Sequence, residues 1–404
     1  MKRFFVLFLV FYFSNLISSV SLPSIIYGSS GQTIWRTLKL GGGGFITGID
    51  WSNDGATKVI RTDVYGAYIL NDSTWQQLVT TYSMPSVDAV LDNGQGVWEI
   101  AVAPSNSQRL FMGFRNKLFV SNNRGGTWTE TSLSTGTLTP NGVNSRLWGR
   151  KIAVDPANAN VVYVGTEDNG LKVSVDGGTI WTTDSGVPNA TTDTDGILIV
   201  FDTSSGTTNG RTNTIYASSW GNGVYVSTNA GTSWTLTTGG PTTHRHMVIS
   251  SDGRVYITIP GSGGTIFRYA SGTWATLTPD AGQSVAAVMV DPNDATRIVV
   301  MRSSGLMRVS TNRGDTWGGL INGVNACQDP DADPAVGQSN TRAATDVPWL
   351  AWTAFGRTSR HMSAIRNWQC TLPTMSTSMA RWQNLNGYSV VQQAKRNGAR
   401  VSVK

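Results

Sequence analysis

Residues 121–128 read Ser-Asn-Asn-Arg-Gly-Gly-Thr-Trp and fit the pattern Ser-x-Asp/Asn-x-Gly-x-x-Trp, which we call the octad. The chain repeats the octad at 174–181, 227–234 and 310–317. The first two intervals are both 53 residues (121 to 174 and 174 to 227), and degenerate copies end at Trp75 and Trp274. A recurrence of this length is typical of repeat architectures.

The segments between octads predict the repeating unit. An apolar strand, a Pro or Asp turn, a second strand, a tight turn and a third strand precede each octad, and a fourth strand follows it. This order predicts four-stranded antiparallel blades and hence an all-β propeller. We count six units, roughly 45–78, 97–130, 150–183, 197–236, 243–276 and 286–319. We predict seven blades, the seventh being assembled from the N-terminal stretch and residues near 340–365.

Turn chemistry accounts for the octad, which is an Asp box of the BNR type. Its Asp or Asn side chain accepts bonds from turn amides, and its Gly adopts a backbone conformation that other residues resist. The Trp ring is expected to lie between neighbouring blades. We therefore assign these residues a structural role: Asn123, Trp128, Asp176, Trp181, Asn229, Trp234, Asn312 and Trp317.

The N-terminus resembles a secretory signal. Lys2 and Arg3 precede an apolar run over 4–13, and small residues follow. That run is too short to span a bilayer as an anchor, the other interpretation considered. We predict cleavage near residue 21 and export of a monomer to the periplasm or the extracellular space.

The remaining composition predicts no metal, cofactor, nucleic acid or membrane partner. Much of the net charge of +6 lies in Lys2, Arg3 and the last ten residues, so the body is nearly neutral. None of the three histidines has a Cys or carboxylate at the spacing of a metal site. Cys327 and Cys370 could pair in an oxidising compartment, but nothing in the pattern requires it.

Three further runs carry a resemblance to a known family. They are Gly-Gly-Gly-Gly-Phe-Ile-Thr-Gly at 41–48, Arg-Thr-Asp-Val-Tyr-Gly-Ala-Tyr at 61–68 and Gly-Arg-Lys-Ile-Ala-Val-Asp-Pro at 149–156. The chain resembles the opening of glycoside hydrolase family 74, the xyloglucanases, from about residue 36 to 363. Tyr65 stands where that family usually has Gly.

The resemblance implies an enzyme with two propellers that face each other across a cleft. Each propeller supplies one aspartate for inverting hydrolysis of xyloglucan or another β-1,4-glucan, and Asp63 matches the aspartate of the first, usually the base. Judged without the resemblance, Asp63 could equally cap a turn. Aromatic rings stack on sugars, so we name these candidate substrate contacts: Tyr65, Tyr68, Trp148, Trp220, Trp349 and Trp352.

The second aspartate is missing from its expected place. After the Trp-rich stretch 346–352 the family pattern leads to a Gly-Asp pair, whereas this chain continues Ala-Ile-Arg-Asn-Trp from 364. A reading frame moved back by one base can encode Gly-Asp-x-Glu-Leu-Ala there. We predict a frameshift near Ser363 and a non-homologous tail over 364–404, and therefore impaired catalysis.

Two other functions remain open. Sialidases share the octad but usually carry a Phe/Tyr-Arg-Ile-Pro motif, whereas here Phe114 and Arg115 precede Asn116 and Lys117. A non-catalytic propeller that binds glycan or protein would need no second carboxylate.

Overall fold

Six antiparallel sheets follow one another along the described part of the chain in this computed structural model. That part is 46–320 without 73, 90–95, 134–137, 139–148, 192–195, 262 and 303–305, together with the backbone of five short strands outside it. The fold is all-β. One 3₁₀ turn, Ser86–Asp88, interrupts the strands, and no α-helix occurs among these residues.

The strands of the first three sheets are β1 Lys39–Leu40, β2 Ile46–Trp51, β3 Lys58–Thr62, β4 Ala67–Asn71 and β5 Thr74–Gln77; β6 Val97–Ala103, β7 Asn106–Phe114, β8 Lys117–Ser121 and β9 Thr129–Glu130; β10 Ile152–Asp155, β11 Asn158–Gly165, β12 Leu171–Ser174 and β13 Thr182–Asp184. Those of the next three are β14 Ile197–Thr208, β15 Arg211–Ser219, β16 Gly223–Ser227 and β17 Thr235–Leu236; β18 His246–Ile249, β19 Val255–Thr258, β20 Ile266–Ala270 and β21 Thr273–Leu277; β22 Val285–Asp291, β23 Asp294–Arg302 and β24 Met307–Ser310.

The sheets are the blades of a six-bladed propeller. The edge strands β2, β6, β10, β14, β18 and β22 each contact the next in that order, so they form the inner ring. The six predicted units are confirmed, each as a meander of antiparallel strands. Blade 1 gains β1 as a parallel partner of β5, and the described part of blade 6 has three strands.

Two hairpins lie outside this ring of six. The first joins β25 (Leu350–Phe355) to β26 (Ser359–Ala364), and the second joins β27 (Arg381–Gln383) to β28 (Ser389–Val391). The first coincides with the stretch expected to supply part of a seventh blade, and seven blades stays a prediction. Residues 1–38 and both cysteines lie outside the described part.

All four octads share one hydrogen-bond pattern. In the octad at 121–128, Ser121 Oγ accepts from the Gly125 amide at 2.8 Å and Asn123 Oδ1 accepts from the Thr127 amide at 2.8 Å. The equivalent bonds recur in the other three octads. The tryptophan indole of each octad packs against the apolar cluster between its blade and the preceding one.

Antiparallel meanders separate the connections into two faces. The first-to-second and third-to-fourth strand turns, including the octads, lie on one face, which we call the octad face. The second-to-third strand turns and the links between blades lie on the other, which we call the linker face. Backbone hydrogen bonds join neighbouring elements of the linker face, such as Gly221 N to Thr242 O at 2.7 Å.

No helix in the described part of the chain is both long enough and apolar enough to cross a bilayer.

Candidate active site

Asp63 lies on the linker face, in the turn between β3 and β4. Thr62 closes this turn: its amide and its hydroxyl both donate to the Gly66 carbonyl, at 3.0 and 2.7 Å. Tyr65 has φ of +64° and Gly66 has φ of +87°. Because a left-handed backbone favours glycine, this turn explains why Gly is usual in the family where Tyr65 stands here.

The link that leads into blade 2 packs against the backbone of this turn. Gly96 pairs with Gly66 in a short parallel bridge. A Cβ added to Gly96 would overlap the carbonyl group of Asp63, so only glycine permits this approach. Gln77 Nε2 donates to the Tyr65 carbonyl at 2.9 Å from the other side. The backbone around Asp63 is thus held by β3, by β5 and by the entry to β6.

The two tyrosines of the motif have opposite environments. Tyr65 is 38% exposed beside the half-buried Asp63. Tyr68 is only 2% exposed and packs with Ile46, Ile60 and Trp75. Burial, with Tyr65 as a lesser cause, raises the pKa of the Tyr68 hydroxyl. The prediction that Tyr68 contacts substrate is wrong in this structure, because the ring belongs to the core of blade 1 and cannot stack on a sugar.

Trp220 shares the linker face but belongs to blade 4, directly after β15. It is half-buried, and its ring meets the His244 ring edge-on at 5.4 Å. His244 Nδ1 lies 2.8 Å from Ser218 Oγ, which fixes the imidazole against which the indole rests. Trp148 and Trp349 lie outside the described residues, and for Trp352 the structure describes only the backbone in β25.

A buried ion network lies under the Asp63 turn. Arg61, 1% exposed, places Nε 3.2 Å from Glu99 Oε1, and its Nη1 donates to the Trp98 carbonyl. Lys151 Nζ lies 3.5 Å from Glu167 Oε1 and 4.9 Å from the centre of the Trp98 ring. The network joins blades 1, 2 and 3 near the inner ring.

Burial dominates the electrostatics of this network. Desolvation lowers the pKa of the Arg61 guanidinium and of the Lys151 amine, and the neighbouring carboxylates oppose both shifts. The carboxylates of Glu99 and Glu167 thus favour the charged forms of Arg61 and Lys151, against the effect of burial. Sequence reasoning assigned no role to Glu99 and did not identify the other three charged residues. Their signal was present, since Arg61 and Lys151 stand in the motifs at 61–68 and 149–156.

The octad side chains lie on the opposite face from Asp63. Asp176 accepts from the amides of Ile180 and Thr179 and from Ser174 Oγ, and these bonds, the one from Ile180 first, lower the pKa of its carboxyl. Its bonds are those of a turn, distant from the candidate catalytic turn. Within the described residues, no three His, Cys, Asp or Glu side chains are close enough to hold a metal ion.

The chain is similar to known xyloglucanases in sequence and in structure. The chain is 30% identical over 302 residues to a xyloglucanase of Hypocrea jecorina (strain QM6a), a match that covers 62% of the chain and 34% of that protein. It is 29% identical over 303 residues to a xyloglucanase of a Paenibacillus species, covering 65% of the chain and 29% of the relative. The crystal structure of the Niastella koreensis GH74 enzyme matches 70% of the chain with 30% identity and a TM-score of 0.59.

The chain is therefore similar in sequence to xyloglucanases and in structure to a GH74 enzyme, over part of the length of each. The match covers 46% of the Niastella koreensis enzyme, and the chain spans about a third of the length of the first curated relatives. The family 74 xyloglucanase of Xanthomonas campestris shares the fold, with 24% identity, a TM-score of 0.60 and coverage of 88% of the chain and 59% of that enzyme. No family model matches the chain.

Proposed function

We propose that the chain is a secreted, xyloglucan-directed propeller whose Asp63 supplies one carboxylate of an inverting glycoside hydrolase. The observation that carries the proposal is a half-buried aspartate in a turn held from three sides, next to an exposed aromatic ring. The xyloglucanase relatives support the substrate class. We also propose that residues 1–21 are removed on export and that the protein is a monomer.

Asp63 would act as the general base. In inverting hydrolysis a carboxylate deprotonates a water, which attacks the anomeric carbon while a carboxylic acid on the other side protonates the departing oxygen. The two groups stand about 6.5–9.5 Å apart, which leaves room for that water. A rigid turn suits the base, because a misplacement of about 1 Å can cost about a hundredfold in rate.

We propose further that hydrolysis by the 404-residue chain is impaired. The run that follows Ser363 lacks the Gly-Asp pair expected of the second aspartate. General acid catalysis contributes about 10²–10⁴-fold in rate, so a chain with one carboxylate should hydrolyse slowly while still binding the glucan. The same observation favours the second candidate function, a non-catalytic propeller that binds glycan.

A pair of assays tests these proposals. Release of reducing ends from xyloglucan measures hydrolysis, and calorimetry with xyloglucan oligosaccharides measures binding. We expect Asp63→Asn to abolish the slow hydrolysis and to keep the binding constant within about threefold, because the amide preserves shape. Asp72→Asn is the matched control, since Asp72 is an exposed aspartate in the next turn of the same blade, on the octad face.

Each outcome decides a different part of the proposal. Equal hydrolysis by the wild type and Asp63→Asn would remove Asp63 from catalysis. Fast hydrolysis by the wild type would contradict impairment. Binding without hydrolysis in either protein would favour the non-catalytic propeller, and cleavage of a sialoside in place of xyloglucan would favour a sialidase.

A further inference from the structure

The segment 96–99 contacts the chain on both sides of Thr62. Gly96 lies against the carbonyl of Asp63, while the Trp98 carbonyl and the Glu99 carboxylate receive the guanidinium of Arg61. The side chain two residues before Asp63 and the backbone of Asp63 itself are therefore held by one four-residue segment of blade 2. A shift of that segment would move both contacts together.

Blade 3 fixes the position of this segment. The second oxygen of Glu99, Oε2, accepts from the Lys151 amide at 3.3 Å. Trp98 Nε1 donates to Glu167 Oε1 at 2.8 Å, and the Lys151 amine lies beside the same oxygen. Each of the two carboxylates thus contacts two groups, and the contacts run without interruption from blade 3 through blade 2 to β3.

Gly48 leaves the space that Arg61 occupies, and Gly149 lies in van der Waals reach of the same side chain. A Cβ on Gly48 would overlap Arg61 Nε, and a Cβ on Gly149 would lie 3.6 Å from Glu99 Oε2 and 3.9 Å from Arg61 Nη2. Gly48 ends the first of the three family-like runs, Arg61 begins the second and Gly149 begins the third. All three runs meet at one buried guanidinium, although up to 101 residues (48 to 149) separate them in sequence.

Stability alone is a poor reason for such a network. Burying an ion pair costs desolvation that its attraction often fails to repay, and apolar residues of similar volume are frequently at least as stable. An ion pair has fixed geometry, whereas apolar side chains tolerate sliding. A network that ends two residues before a candidate catalytic aspartate is suited to fixing the position of that aspartate.

We propose that Arg61 and Glu99, supported by Lys151 and Glu167, are positioning residues that hold the Asp63 turn in register with blades 2 and 3. The proposal rests on the proposed function only for its catalytic consequence. Its structural consequence is independent of catalysis: loss of the Glu99 charge should loosen the turn at 62–66 while the rest of the propeller keeps its order.

Hydrogen–deuterium exchange tests the structural consequence on the full chain. In Glu99→Gln, an isosteric change, we expect amides of 62–66, including the Thr62 amide that donates to Gly66, to exchange at least about tenfold faster. Gly48→Ala should produce the same local effect, because it displaces the Arg61 side chain without changing any charge. Amides of the octad at 227–234 should be unaffected in both variants.

Asp280→Asn is the matched control. Asp280 is a buried carboxylate whose ion-pair partners, Arg302 and Arg308, belong to blade 6 and not to the Arg61 network of blades 1, 2 and 3. Its loss should leave exchange over 62–66 unchanged. If Asp280→Asn speeds exchange there as much as Glu99→Gln does, or if neither Glu99→Gln nor Gly48→Ala affects the turn, the positioning role is refuted.

Kinetics and binding test the catalytic consequence. For Glu99→Gln we expect the kcat for xyloglucan to fall about 100-fold with KM changed less than about threefold, because binding surfaces stay intact while the base is misplaced. A loss through general unfolding would instead reduce the amount of active enzyme and raise exchange everywhere. If Asp63→Asn leaves hydrolysis intact, the proposed function fails, and the exchange experiment still decides the positioning role.

Discussion

Acid should destabilise this propeller through His246, which begins β18 and is 7% exposed. Burial, with the charges of Arg245 and Arg61 as lesser causes, lowers the pKa of its imidazole from 6.5 to about 3. The folded state therefore stays unprotonated at His246 while the unfolded chain takes up a proton below about pH 6.5. The free energy of unfolding therefore falls progressively as the pH drops from 6.5 to 3.

The magnitude follows from linkage. Each pH unit within this window costs about 1.4 kcal/mol, so the contribution of His246 between pH 7 and pH 4 is about 3 kcal/mol of unfolding free energy. Urea denaturation at the two pH values measures it in the wild type and in His246→Gln. The cost of the substitution itself cancels, because each protein is compared with itself, and we expect the pH dependence to shrink by about 3 kcal/mol in the variant.

Met247→Leu is the control for packing, since Met247 is the next residue of β18, is buried and does not titrate. It should lower stability equally at both pH values. If His246→Gln keeps the full pH dependence of the wild type, the imidazole is not the buried neutral group described here, and the reasoning is refuted.

Two further predictions concern the contacts between blades. Gly125→Ala should destabilise by about 2–3 kcal/mol in thermal denaturation, because Gly125 has φ of +82° and its Cβ would overlap Leu78, whereas Gly206→Ala should cost only about 1 kcal/mol, since Gly206 has φ of +74° with nothing near. Equal losses would show that the overlap is relieved. Asp155→Asn should cost about 1–3 kcal/mol by urea titration, because Asp155 Oδ1 and Oδ2 accept from the hydroxyl and amide of Thr212 in blade 4. A change below about 0.5 kcal/mol would contradict this.

The repeat was readable from sequence because its chemistry is local. A Ser hydroxyl that bonds an amide four residues on needs no knowledge of the rest of the chain, and in the octad at 121–128 the amides that donate to Ser121 Oγ and Asn123 Oδ1 belong to the octad itself. The same holds for strand order, since each meander follows the order of the chain. Six predicted blade ranges therefore correspond closely to the six sheets.

The orientation of Tyr68 was not readable in the same way. The strand Ala67–Asn71 has four apolar or aromatic residues in succession, so its sequence lacks the alternation that separates a buried from an exposed face. Tyr65 and Tyr68 then look equivalent in sequence. Only the pairing of Tyr68 opposite Ile60 on β3 assigns the ring to the core.

The ion network was hidden for a different reason: its partners come from three blades. Arg61 and Glu99 are 38 residues apart in sequence and Glu99 and Lys151 are 52 apart (61 to 99 and 99 to 151). Sequence similarity shows only that these residues match those of the family. It does not show that the missing side chain at Gly48 leaves room for Arg61. The three runs that carry the family resemblance converge on a buried cluster beneath the turn, and this gives them a physical reason to occur together. A propeller that kept the octads and lost this cluster would keep its blades, and we expect that it would lose the fixed geometry of the turn on which an aspartate could act as a base.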